Sequence, residues 1–216
     1  MNNDIWSEQQ AKKRRSWDHP IVKSYAEARV SYIFSHFAEK TMSCLELGAG
    51  DGFFSFPISM KVYELLVCDA SSSMLTKNPI KTQLQRDIFD LGELKAFDLV
   101  FESNLLHHLD DDALALQLMT NQSKKYVVLV EPNPFHPLTI LLYFLDPNER
   151  RSLRYRKRYT QQLAQAAGLE LLDFTSFGLA PANRCPLWAW KILRFFERRI
   201  PLLGIENIFI FKKIEQ

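Results

Sequence analysis

The stretch Leu45-Glu46-Leu47-Gly48-Ala49-Gly50-Asp51-Gly52 places three glycines two apart, directly after an apolar run that carries an acid. Glycine accepts a positive φ and lets a ligand approach the backbone with no Cβ in the way. Glycines at alternate positions therefore suit a tight strand-to-helix turn around a small molecule, the junction at which open α/β sheets bind ligands. The spacing discriminates between ligands. A dinucleotide site wants G-x-G-x-x-G, and Phe53 stands where its third glycine would be. Asp69 ends the apolar run Val67-Cys68-Asp69, about 20 residues past Gly48, the distance expected of a carboxylate that holds a ribose diol. Other adenosine-containing ligands would present the same diol, so Asp69 alone does not choose among them. His107 and His108 could act as general bases, because imidazole titrates near neutrality. Glu131, Asn133 and His136 close a later apolar run, where a substrate would lie at the carboxyl edge of a sheet. In Glu131-Pro132-Asn133-Pro134 each proline fixes its own φ and restrains the residue before it. That rigidity suits a substrate wall and equally a plain loop. None of these residues shows metal-ligand spacing such as H-x-x-x-H, so no metal site is expected.

Such residues need a frame. Strands are expected at 43–47, 64–68, 82–86, 97–101, 125–131, 169–177 and 207–212. Helices are expected at 52–60, 71–76, 111–121 and 160–167, the last stopped by Gly168. Strands alternating with helical stretches imply βαβ units and a parallel sheet. Asp110-Asp111-Asp112 is a helix start signal, since acids favour a helix N-terminus. Before the first strand, residues 1–19 are polar and basic, with Trp6 and Trp17 as anchors. Pro20 then opens a helix to about Phe37 in which Tyr25, Val30, Ile33, Phe34 and Phe37 fall near helical spacing.

Taken in order, these motifs resemble the class I S-adenosylmethionine-dependent methyltransferases. Glu46-x-Gly48-x-Gly50-x-Gly52 is similar to that family's first motif, and Asp69 to the acid ending its second strand. Arg86-Asp87-Ile88 matches the turn after the third strand. Ala96–Phe101 matches the fourth strand, Ser103–Leu109 the loop after it, and Tyr126–Pro132 the fifth. The resemblance covers residues 40–131 and, more loosely, 159–177. It implies a Rossmann-like, doubly wound α/β sheet of about seven strands, mostly parallel with an antiparallel last strand. It also implies S-adenosyl-L-methionine as cofactor. The backbone at Gly48, Ala49 and Gly50 would follow the methionine part, with Glu46 orienting the loop or meeting the amino group through water. Asp69, followed by Ala70, would take the ribose hydroxyls. Asp87 and the Ile88 amide would face the adenine edge, and Ser103 and Asn104 the methionine end. Asp87 could instead cap a turn.

One methyltransferase domain over 1–216 is expected, with an N-terminal helical cap at 1–40, a cofactor-binding core at 41–131, and lid-like insertions at 132–158 and 178–204. The first insertion joins the apolar run Pro137–Leu145 to six basic residues within Arg150–Arg158. The second sets Trp188, Trp190, Leu193, Phe195 and Phe196 beside Arg194, Arg198 and Arg199. Both fit lids over a hydrophobic substrate, and both fit peripheral contact with an anionic bilayer. The Asn-Pro-Pro-Tyr pattern of amino-directed DNA and protein methyltransferases is missing after the fourth strand, which argues against DNA and for a small or lipid-like acceptor. A net charge of +2 is too small to argue for nucleic acid. RNA, held by Lys12-Lys13-Arg14-Arg15 and Arg150–Arg158, is an alternative acceptor, although no RNA-binding module accompanies those runs. A non-catalytic methyltransferase-fold partner subunit is another alternative, and the oligomeric state is left open. Cys44, Cys68 and Cys185 form no C-x-x-C pair and read as buried thiols of a reducing compartment. No apolar signal region opens the sequence and no run approaches a spanning length, so a cytoplasmic protein is expected.

Overall fold

A computed structural model describes residues 14–39, 41–145 and 147–214; Trp6, Lys12 and Lys13 lie outside them. Helix α1 (Pro20–Phe34) begins with proline in its first turn, where the missing N–H costs nothing. His19 caps it by accepting the Ile21 amide at 3.2 Å. Strand β1 (Ser43–Leu47) leads through the glycine turn to α2 (Ser55–Ser59), and β2 (Glu64–Asp69) to α3 (Ser72–Leu75) and the short β3 (Gln83–Gln85). Strand β4 (Phe97–Ser103), α4 (Asp112–Gln122) and β5 (Ser123–Pro132) follow. Then come α5 (Pro137–Leu145), a 3₁₀ segment (Pro147–Arg154), α6 (Lys157–Ala166), β6 (Leu169–Phe177), α7 (Leu187–Leu193), the 3₁₀ turn Arg194–Phe196 and β7 (Glu206–Lys213).

The seven strands form one sheet in the order β3-β2-β1-β4-β5-β7-β6. The first five run parallel, and β7 is antiparallel to both β5 and β6. Side chains alternate between the two faces, as strand geometry requires. Cys44, Val128, Val130, Ile208 and Ile210 join α1, α2 and Trp190 of α7 in one core layer. Leu45, Leu47, Val127, Leu129, Phe209 and Phe211 join α4 and α6 in the other. Every residue of β1 is buried, the signature of a parallel strand covered on both sides. All three cysteines are buried free thiols.

Two helices start well away from their expected first residues for local reasons. The helix expected from 52 begins only at Ser55, because Gly52 has φ +92°, which no right-handed helix admits. The helix expected from 160 begins at Lys157, with Arg156 extended as its N-cap. The chain reverses its direction of sheet growth between β1 and β4, so the crevice beyond their carboxyl ends is the topological switch point.

Candidate active site

The turn after β1 is shaped by close approach. A Cβ on Gly52 would stand 2.3 Å from Pro79 Cδ, and one on Gly48 (φ +66°) would stand 3.1 Å from the Leu105 side chain. The turn is braced from β2. Asp69 Oδ2 accepts the Gly50 amide and Oδ1 the Ser71 amide, both at 2.8 Å. Burial, the dominant influence, pushes the Asp69 carboxyl above its usual range, while these two amides pull it back. Asn78 ties the other side, donating to Gly50 O at 3.3 Å and to Ser55 Oγ at 2.9 Å. Ala70 stands beside Asp69, and its carbonyl accepts the Gln85 amide group at 3.5 Å.

Three buried polar atoms around this turn have no hydrogen-bond partner among the described residues: Glu46 Oε2, Asp51 Oδ1 and Arg14 Nε. Burial raises the Glu46 carboxyl to about 8, against a lowering hydrogen bond from Ser55. Arg14 reaches the turn from the N-terminal segment, 4.0 Å from Asp51 and over the ring of Phe53. Its neighbour Arg15 donates to the carbonyls of Ala182 and Cys185, so the segment also straps the loop before α7. Arg14, Ser16, Trp17, Asp51 and Lys77 line a pocket of about 240 Å³ beside the turn.

Across the switch point, the loop after β4 is held from beneath. Glu131 Oε1 accepts the Leu106 amide at 3.0 Å, and its Oε2 lies 2.6 Å from His107 Nδ1. Glu102 Oε2 accepts the Leu105 amide at 2.9 Å. Burial and the neighbouring Glu131 push the Glu102 carboxyl well above the usual carboxylate range. Two of the expected base candidates are thus one buried pair, with His107 2% exposed and Glu131 fully buried. The His108 ring lies tilted against His107, centroids 3.9 Å apart, and is more exposed. Asn104 has φ +55° and donates to Ser103 Oγ at 3.0 Å and Glu206 Oε1 at 3.3 Å. Glu206 in turn accepts Arg29 Nε at 2.8 Å, and Arg29 also bonds Glu197 at 2.5 Å. A buried ion network therefore runs from α1 through β7 to the loop after β4.

The remaining expected residues separate. Asp87 caps the 3₁₀ turn Ile88–Asp90, its Oδ1 accepting the Phe89 amide at 2.9 Å, and is otherwise exposed. The Ile88 side chain points into the core. Asn133 fastens two loops, donating to the Leu202 and Gly204 carbonyls at 2.9 and 2.7 Å. His136 is buried at the start of α5, and its Nδ1 has no hydrogen-bond partner among the described residues. Burial lowers its pKa, which favours the neutral imidazole.

A family model described as a methyltransferase domain matches residues 45–122, from β1 through the switch point to the end of α4. That stretch is similar to a methyltransferase domain, and the sheet has the Rossmann-like methyltransferase fold. No curated protein matched the sequence. Solved structures share the fold at low identity. One is an S-adenosylmethionine-dependent methyltransferase, a possible histamine N-methyltransferase, from Thermotoga maritima (14% identity, TM-score 0.66, covering 90% of this chain and 91% of that one). Another is the magnesium protoporphyrin IX methyltransferase of Synechocystis PCC 6803 with S-adenosylhomocysteine bound (13%, 0.62, 87% and 81%). A third is an S-adenosylmethionine-dependent methyltransferase of Archaeoglobus fulgidus (20%, 0.62, 87% and 92%).

The unpartnered atoms of the methyltransferase domain fit its cofactor. The amino-acid end of S-adenosylmethionine carries an ammonium and a carboxylate. Glu46 and Asp51 could receive the first and Arg14 the second. Arg14 and Asp51 are the residues that motif reading passed over. Arg14 belongs to a basic run that reads as a solvated face, and only the return of the N-terminal segment to β1 puts it at the turn.

Proposed function

We propose that the chain transfers a methyl group to a small hydrophobic or lipid-linked acceptor. The observation that carries the acceptor class is the apolar wall at the carboxyl edge of the sheet. Phe135, Leu138, Leu141 and Phe144 are exposed there along and before α5, with Leu202 and Leu203 on the adjoining turn. Bound S-adenosylmethionine supplies a methyl on a sulfonium, and in-line transfer needs little from the protein beyond placement and a dry site. Placement alone can account for about 7–11 kcal/mol of barrier. In this reading Asp69 holds the ribose, Glu46, Asp51 and Arg14 hold the amino-acid end, and Leu105 over Gly48 keeps water from the methyl. An acceptor hydroxyl or acidic carbon would give up its proton to His136, whose neutral ring opens α5 beside the apolar wall. The buried His107–Glu131 pair shapes the loop instead of meeting the acceptor.

The test is methyl incorporation from labelled S-adenosylmethionine into a lipid extract, a polar metabolite extract and total RNA. Label in the organic phase is expected. Label confined to RNA would transfer the proposal to the basic runs, and cofactor binding without any turnover would favour a partner subunit. His136→Asn should cut kcat at least tenfold with cofactor affinity unchanged; full activity would remove it from the reaction.

A further inference from the structure

The segment between β6 and β7 carries a feature that methyl transfer does not require. On α7 and its 3₁₀ extension, Trp188, Ile192 and Phe195 recur at i, i+4 and i+7, which puts them on one stripe. They are 72%, 61% and 68% exposed, whereas Trp190 on the opposite face is buried in the core. The helix thus spends one aromatic ring on packing and turns a second apolar face outward.

Cations border that stripe, and none of them forms an ion pair with an acid among the described residues. Lys191, Arg194, Arg198 and Arg199 are all exposed. Glu197 is the one acid between residues 178 and 205, and it is turned inward onto Arg29 at 2.5 Å. The turn that follows is built to point outward. Leu202 sits at φ +69°, a conformation that leucine rarely adopts. Asn133 grips the carbonyls of Leu202 and Gly204. Gly204 packs so closely that a Cβ would stand 2.1 Å from the Phe177 amide nitrogen. The strained turn leaves Leu202 and Leu203 71% and 61% exposed.

All of this stands at one edge. Phe177 pairs with Glu206, and Glu206 with Pro132, so the loop leaving β6 and the start of α5 share the carboxyl edge of the sheet with the cofactor turn. Arg156 lies over the Phe135 ring before α5, repeating there the pairing of apolar surface with a cation. No helix among the described residues is long and apolar enough to cross a membrane. The run Leu187–Phe196 is about 15 Å long, which suits a helix lying in a headgroup plane.

We propose that α7, the 3₁₀ turn Arg194–Phe196 and the Leu202–Leu203 turn form a docking face for an anionic lipid bilayer, holding the mouth of the site at the membrane surface. The rings and leucines enter the acyl boundary and the flanking cations meet lipid phosphates. A second copy of the chain is disfavoured as occupant, because an isologous contact would set these uncompensated cations against themselves. The proposal rests on the hydrophobic-acceptor reading, placing its acceptor in a bilayer, but it is tested by binding alone.

The experiment is flotation of the full chain with phosphatidylcholine vesicles, with and without phosphatidylglycerol, at low and high salt. Co-flotation is expected only with phosphatidylglycerol and should fall with salt. Arg194→Ala and Arg198→Ala should each weaken partitioning about 5-fold. Trp188→Ser with Phe195→Ser should abolish it while leaving the melting temperature and S-adenosylmethionine binding intact. The proposal is overturned if the chain ignores anionic vesicles at low salt, or if the double serine variant still binds. It is also overturned if the rings instead mediate a concentration-dependent dimer that the serine changes dissolve. Vesicle binding by a chain that methylates no hydrophobic acceptor would leave this surface standing and remove the acceptor reading.

Discussion

Asp69 braces the glycine turn and, in the proposed reading, also holds the ribose, and Asp69→Ala should test both roles. The substitution leaves the Gly50 and Ser71 amides without the oxygens they meet at 2.8 Å. A part-buried donor left unmet costs about 1–3 kcal/mol. Two of them would cost up to about 6, but water can reach a half-buried turn, and alanine also relieves the desolvation that raises this carboxyl. The lower end, about 2–3 kcal/mol, is therefore expected, which for a chain of this size lowers Tm by about 4–12 °C. Asp69→Asn keeps one accepting oxygen and should lose about half as much. Binding suffers twice, through the lost ribose contact and the loosened turn. At about 1.5–3 kcal/mol for a hydrogen bond to a charged group, S-adenosylmethionine affinity should fall at least about 10- to 150-fold for alanine. Scanning calorimetry and titration calorimetry read the two effects separately. Wild-type affinity in Asp69→Ala would refute the ribose assignment, and an unmoved Tm would refute the brace.

Three further outcomes follow from the buried charges. Glu46, raised to about 8, holds a proton when folded that the unfolded chain has already lost above its ordinary carboxyl value. Its contribution should therefore decline as pH rises toward 8, by about 1.4 kcal/mol per pH unit, and Glu46→Gln should flatten that decline in urea midpoints measured from pH 5 to 8. Arg14→Ala should weaken cofactor binding about tenfold with little change in Tm, since its pair with Asp51 is 4.0 Å long and part-exposed; equal affinity would sever Arg14 from the site. Arg29→Leu strands Glu197 and Glu206 and should cost about 3–5 kcal/mol, most of it recovered when both acids are also changed to Gln; a silent Arg29→Leu would show that the network carries no charge.

The cofactor half of the molecule was legible because its physics is local. Alternate glycines, an acid ending a strand and apolar runs of strand length each announce themselves within a few residues. The antiparallel β7 came through the family resemblance, whereas the strand order emerged only in the structure, since it is set by pairings that composition does not encode. The acceptor half was less legible because its side chains meet across long separations. His107 and Glu131 looked like two independent bases until the sheet brought them within 2.6 Å. Nothing local in the sequence marks Arg29 as buried, yet it is among the largest fully buried side chains. Its two acid partners lie more than 160 residues further along the chain. Asp87 had two readings, and the cap on Phe89 is the contact it makes within the chain.

Because Phe177 and Glu206 face each other across one strand spacing, the chain departs from the sheet and rejoins it at nearly the same point. An excursion of that kind can be cut out and replaced by one of different length without altering the register of a single strand. In the proposed reading acceptor preference would then be exchangeable as a cassette, provided the new segment still receives the Arg15 strap beside the glycine turn. The graft would have to fill the core place of Trp190 and meet Arg15 and Asn133, and it would have a charge condition as well. The incoming segment must bring its own carboxylate to Arg29, or the host must surrender that guanidinium along with the piece it anchored.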